Sequence, residues 1–233
     1  MKVVFFVLIT MAMVQAFNPP TYNSTVWEAF AAKELLNPYP LLTSDPYATG
    51  PAPPWPAAPV CAVVYPNEPD RKRYELKTYA TREEAEETEN AFVTHLHPCG
   101  LCSTTKDLSV YMSQPDLTNP VRDCGILTAI SDEAALDCLA KIGFTKPCAQ
   151  IWMYDAINTR KHCFDKCIKA WIEHEPNNVP KNSTVLNPCL ECDELISGPW
   201  FKFVSGRTRR DSGLISSINR PSSSIANVTH YYY

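Results

Sequence analysis

Cys61-Ala62-Val63-Val64-Tyr65, Tyr74-Glu75-Leu76-Lys77-Thr78-Tyr79 and Ala91-Phe92-Val93-Thr94-His95-Leu96-His97 decide the fold, together with Thr81-Arg82-Glu83-Glu84 between the second and third runs. The first run is short, apolar and β-branched. The second alternates, and the third is again β-branched and aromatic, so each reads as a strand. Thr81 and Glu84 have the spacing of a capping box and start a helix over 81–90. Glu83, Glu84, Glu86 and Glu87 crowd its first turns, where carboxylates oppose the positive end of the helix dipole, and they read as a solvated face. Thr104 or Thr105 then starts a helix that turns Leu108, Tyr111 and Met112 inward. A small sheet with helices is therefore expected in the first half.

Downstream the pattern becomes helical. Ser131 caps a segment with Ala135, Cys138, Leu139 and Ile142 on one face, and Gly143 stops it. A longer helical region spans 149–173 and carries Ile157, Phe164, Ile168 and Trp171. Cys163 and Cys167 stand four apart, so both project from one side of that helix. Cys189 and Cys192 follow Pro188, and the two segments are expected to be stapled together. The class is α+β, with disulfide-stapled helices in the second half.

Four regions follow from composition. Residues 1–16 read as a signal peptide. Residues 17–60 form a Pro-rich N-terminal arm with one helix, started by the capping box Thr25-Val26-Trp27-Glu28 and ended at Asn37-Pro38. Pro51-Ala52-Pro53-Pro54-Trp55-Pro56 favours extended conformation and reads as a stiff connector over the core. Residues 61–205 hold every cysteine and form the globular core, and residues 206–233, basic and then Ser-rich, read as a flexible tail. Within that tail Arg207-Thr208-Arg209-Arg210 has the arginine spacing of a secretory processing site, which would release residues 211–233.

Lys2, an apolar run over residues 3–14 and the small residues Val14 and Ala16 make up the leader. The run is too short for a bilayer, which needs about 20 residues. A secreted or endomembrane-lumenal protein without a membrane span in its mature chain is expected. Asn23-Ser24-Thr25, Asn182-Ser183-Thr184 and Asn227-Val228-Thr229 are candidate glycan sites on that route. The ten cysteines Cys61, Cys99, Cys102, Cys124, Cys138, Cys148, Cys163, Cys167, Cys189 and Cys192 read as five disulfides of unknown connectivity. The formal charge is -4. That argues against a nucleic-acid partner, which calls for a basic face. Another extracellular protein or a glycan is the expected partner.

Candidate chemistry concentrates at His95-Leu96-His97-Pro98-Cys99-Gly100-Leu101-Cys102. The order strand, helix, strand, Cys-x-x-Cys, helix resembles the opening of a thioredoxin-like fold. That resemblance implies a thiol–disulfide oxidoreductase in which Cys99 attacks and Cys102 resolves. The chain departs from the family at His97-Pro98, where an aromatic is usual. His95 and His97 alternate on a strand, which would turn both rings to one side and suit zinc or copper. No G-x-S-x-G, H-E-x-x-H or phosphate loop occurs in the sequence. The expected function is a structural or binding role, non-enzymatic and without a cofactor. The oxidoreductase is the alternative, and the metal site stands behind it.

Overall fold

A computed structural model describes residues 17–54, 58–66 and 69–233. The leader and Trp55-Pro56 lie outside the described residues. The chain is α+β. Its strands are β1 (Glu34–Leu35), β2 (Val60–Val64), β3 (Arg73–Tyr79) and β4 (Ala91–Leu96). Its helices are α1 (Ser24–Ala31), α2 (Arg82–Glu87), α3 (Thr105–Ser113), α4 (Thr118–Ile126), α5 (Asp132–Ile142), α6 (Lys146–Ile172), α7 (Pro188–Ile196) and α8 (Gly198–Ser205).

The sheet order is β1-β3-β2-β4. β2 lies between β3 and β4 and is antiparallel to both, while β1 pairs in parallel with β3 at the edge. β2 reads as a continuous apolar run because both its faces are covered. Cys61 and Val63 enter the main core, whereas Val60 and Ala62 enter a second cluster with Tyr79, Ala85, Val93 and Val228. On β3, Tyr74 and Leu76 point inward and Glu75 and Lys77 outward. Thr81 caps α2 as its spacing requires, but α2 ends at Glu87, where Thr88 turns extended.

α1 begins two residues earlier than the Thr25 box implies. The side chain of Asn23 accepts from the Val26 N–H, and Asn is among the strongest N-caps. That start places Val26 and Phe30, four residues apart, on the buried face of α1. The helix therefore belongs to the main core rather than to a separate arm. The rest of the segment lies over the helices. The Leu42 N–H donates to the Gln150 side chain, and the Trp200 indole donates to the Gly50 carbonyl.

α6 is the axis of the second half, with α4, α5, α7 and α8 packed on it. Cys163–Cys192 and Cys167–Cys189 staple α6 to α7, as expected. Cys124–Cys138 joins α4 to α5. Cys61–Cys99 and Cys102–Cys148 link the sheet, through the loop after β4, to the first turn of α6.

The reading of residues 206–233 as a flexible tail is overturned. Arg207, Ser212, Leu214, Val228, His230 and Tyr232 are all buried. Arg207 is the pin. Its Nε donates to the Cys102 carbonyl, Nη1 to the Thr94 carbonyl and Ser212 Oγ, and Nη2 to Thr94 Oγ1 and the Ser103 carbonyl. All five guanidinium donors are thereby matched. Thr94 can serve because the register between β2 and β4 shifts from Cys61↔His95 to Ala62↔Val93, which leaves Thr94 outside the ladder. The Tyr232 hydroxyl also donates to Thr94 Oγ1, and the Tyr65 hydroxyl donates to the Tyr232 carbonyl. Basic and Ser-rich composition here marks a polar interior.

Candidate functional site

The sequence candidates are taken apart by the fold. Cys99 and Cys102 are each joined to a distant partner, Cys61 and Cys148, so the Cys-x-x-Cys motif holds no exchangeable pair. Gly100 is required there by close packing. A Cβ on it would lie 2.5 Å from the Val204 carbonyl oxygen, because residues 204–206 run against this loop. The Leu101 and Cys102 N–H groups donate to the Val204 and Ser205 carbonyls across that contact.

His95 and His97 do not share a side. β4 ends at Leu96, and His97 takes φ 72°, which breaks the alternation. His95 is buried, with Nδ1 2.7 Å from the Leu96 carbonyl oxygen and Nε2 2.7 Å from Ser103 Oγ. Burial and the nearby Arg207 charge hold its pKa well below the usual imidazole value. The neutral ring then donates from Nδ1 and accepts the Ser103 hydroxyl at Nε2. Both nitrogens are used, and His97 faces Asp211 instead.

Arg207, Arg209 and Arg210 do not form an exposed processing segment. Arg207 is buried, Arg209 donates to the Tyr111 and Gln114 carbonyls, and Arg210 pairs with Glu194. A protease needs that stretch extended, and here it is fastened along its length. Asn23, Asn182 and Asn227 are all exposed.

The site that the sequence reading missed is a cavity of about 550 Å³ among α4, α6, α7, α8 and residues 208–220. One face of α6 supplies its longest wall, through Trp152, Asp155, Thr159, Phe164, Ile168 and Trp171. With Ala156 and Arg160, which also line it, positions 152, 156, 160, 164, 168 and 171 recur at three- and four-residue steps, the periodicity of a single helix stripe. That signal was present in the sequence. The polar residues in mid-stripe hid it.

The inner end is aromatic. Trp152 packs on Phe201 with ring centroids 4.3 Å apart and on Phe144 at 5.8 Å, and Phe144 contacts Tyr111 at 5.9 Å. Arg209 lies over the Tyr111 ring, 5.4 Å from its centroid. Burial lowers the Arg209 pKa to about 10. The outer end is apolar and open, with Ile126 and Phe164 each more than half exposed beside Ile168 and Trp171.

Between the ends lies a carboxyl pair. Asp155 accepts from the Tyr47 hydroxyl, and Asp193 accepts from the Thr159 hydroxyl, which also contacts Ser197 Oγ. Burial and the charge of Asp193 hold the Asp155 pKa well above the ordinary carboxyl value. Burial pushes Asp193 up to about 6 against the opposing Thr159 hydroxyl. Glu194 behaves differently. Burial pushes it up, but Arg220, Lys202 and Arg210 together hold it below its usual value. In sum, six basic and three acidic side chains line the cavity.

Residues 132–228, less than half of the chain, match the model of a family of unknown function, DUF8771. The matched segment runs from α5 through the fastened residues 206–228 and includes α6, α7 and α8. No curated protein and no solved structure matches the chain at a significant level.

Proposed function

We propose that this is a secreted, disulfide-stapled glycoprotein that binds a small, largely apolar molecule in the cavity walled by α6. The observation that carries the reading is the cavity. Its volume of about 550 Å³ falls within the roughly 300–1,000 Å³ usual for small-molecule sites. Exposed Ile126, Phe164, Ile168 and Trp171 gather at one mouth instead of scattering over the surface. Two disulfides fix α7 against α6, so the site is pre-organised and little ordering entropy is lost on binding. Five disulfides without a free thiol among the described residues suit an oxidising compartment, and three exposed sequon asparagines suit glycan attachment.

The test uses the full chain purified from a eukaryotic secretory host and titrated with the neutral fluorophore N-phenyl-1-naphthylamine. Saturable binding at one site is expected, weakened at least tenfold by Ile126→Asp and Phe164→Asp together. Binding that never saturates, or that ignores both changes, sinks the reading.

Asp155 and Asp193 favour a second reading. Two carboxyls of raised pKa beside a cavity, Asp155 buried and Asp193 half-buried, could serve as general acid and base on its occupant. Mass spectrometry of a bound compound before and after incubation separates the two. A carrier returns it unchanged, and an enzyme does not.

A further inference from the structure

Three polar atoms in the cavity wall are buried without a hydrogen-bond partner: the Tyr111 hydroxyl, Trp152 Nε1 and Arg160 Nη1. Among the described residues only Tyr79 and Thr105 have another such side-chain atom. Buried polar groups nearly always find a partner, and each that does not calls for an explanation. The indole and the guanidinium are donors only. The Trp152 N–H lies toward the Tyr111 hydroxyl without forming a well-aligned bond, which leaves the proton of that hydroxyl and Arg160 Nη1 without an acceptor. Tyr111 is 3% exposed, which keeps bulk water from its hydroxyl.

The three groups are not at one point. Tyr111 and Trp152 belong to the aromatic inner end. Arg160 stands eight residues beyond Trp152 on α6, about 12 Å further along at 1.5 Å per residue. It lies on the side of Phe164, Ile168 and Trp171, where the wall becomes exposed. The wall between carries Ala156, with Gly125 of α4 close against it. The excess of basic over acidic lining residues gives the cavity the sign opposite to the net charge of -4 on the whole chain.

We infer that the occupant is an elongated amphipathic anion, with an oxygen acceptor at one end seated on Tyr111 and Trp152, an apolar body along α6, and a carboxylate or sulfate held by Arg160. This rests on the small-molecule reading of the cavity and adds the chemistry of the ligand's two ends. A cation meets the wrong field, and a plain hydrocarbon leaves the three donors unmatched.

The probe is 11-(dansylamino)undecanoate, whose sulfonyl oxygens and carboxylate are separated by an alkyl chain, compared with its own methyl ester. The acid is expected to bind at least tenfold more tightly than the ester, by fluorescence titration of the full chain. Arg160→Gln is expected to abolish that preference and leave ester affinity within twofold. Tyr111→Phe removes one unmatched donor at nearly constant volume, so both probes should weaken several-fold while Tm of the free protein stays level or rises. Trp152→Phe should weaken both probes several-fold with a lower Tm, because it also shrinks the ring packed on Phe201 and Phe144.

Equal binding of acid and ester overturns the anionic head. A loss of both probes alike in Arg160→Gln overturns the role of Arg160. A fall in Tm without a change in affinity in Trp152→Phe and Tyr111→Phe makes those groups structural and overturns the inner-end assignment. If N-phenyl-1-naphthylamine binds at the mouth but the acid shows no preference, this inference alone fails. If no probe binds, the cavity reading fails with it.

Discussion

Arg207 is buried and Arg160 is half-buried, and their environments differ in how their donors are met. Around Arg207 every guanidinium N–H has an acceptor, drawn from β4, from the loop after it and from Ser212. Around Arg160 a buried Nη1 has none, and the same cavity leaves the Tyr111 hydroxyl and the Trp152 N–H unmatched. A polar network that closes on itself acts on the stability and uniqueness of the fold. A network left open beside an apolar cavity is arranged for something that arrives later. The closed region is also covered by aromatic residues, with Tyr232 stacked on Phe92, whereas the cavity ends at exposed Phe164 and Trp171.

The largest expected effect lies in the closed region. Arg207→Met takes a donor from three carbonyls and from the hydroxyls of Ser212 and Thr94, of which Thr94 keeps the one from Tyr232. It should destabilise by about 3–5 kcal/mol or more. Urea denaturation reads this as a lower midpoint, and limited proteolysis should then open residues 206–233. Arg207→Lys should recover only part of the loss, because an ammonium offers three donors in a different geometry. A midpoint unchanged in Arg207→Met would refute the pin.

Next is the α6–α7 staple. Cys163→Ala with Cys192→Ala should cost about 2–4 kcal/mol, with Tm falling and N-phenyl-1-naphthylamine binding falling with it. The same exchange at Cys61 and Cys99 should lower Tm but spare probe affinity, since that bond lies away from the cavity. Equal effects on affinity from the two pairs would erase the distinction between the regions.

The regions should also respond to acid with opposite signs. His230, buried and near Arg207, has its pKa lowered to about 3, first by burial and then by that charge. The unfolded chain takes up the proton near pH 6.5, so the stability from a neutral His230 is full above that value. It is lost as pH falls, by about 2–3 kcal/mol at pH 4.5. Asp193 is raised to about 6, so the folded state holds a proton that the unfolded chain releases near pH 4. Its contribution is greatest below pH 4 and declines by about 2–3 kcal/mol as pH rises through 6. Relative to the native chain, His230→Gln should gain stability as pH falls from 6.5, and Asp193→Asn should gain as pH rises from 4. Denaturation midpoints across this range that move in parallel for both variants would contradict the assignment.

The smallest effect is at the mouth. Ile126→Asp and Phe164→Asp replace exposed side chains and should change stability by no more than about 0.5 kcal/mol each, while probe affinity falls. Thermal melts and titrations on one preparation check both.

Much of this architecture is legible in short segments. The strands at 60–64, 73–79 and 91–96 fall within a residue or two of their apolar and alternating runs, and Ser131 and Gly143 bound α5 as their chemistry requires. The site is less legible. The stripe from Trp152 to Trp171 has helical spacing, but Asp155, Thr159 and Arg160 interrupt its apolar character, and only the facing residues of α4 and α7 make it a wall. Cys99-Gly100-Leu101-Cys102 misleads because Gly100 is explained by the backbone of residues 204–206, a hundred positions away.

The α+β class, the helix caps and the central apolar strand were fixed by the amino-acid sequence, because each depends on residues within a few positions of one another, and the Cys163/Cys167 spacing put two thiols on one side of α6. Tertiary structure alone decided which cysteines join, that a basic and Ser-rich segment lies inside, and that two groups of buried donors meet different fates. Hydrogen-bond satisfaction is a property of neighbours in space. A basic residue in a polar stretch reads the same whether its acceptors are water, carbonyls brought in by a β-bulge, or the head of a ligand.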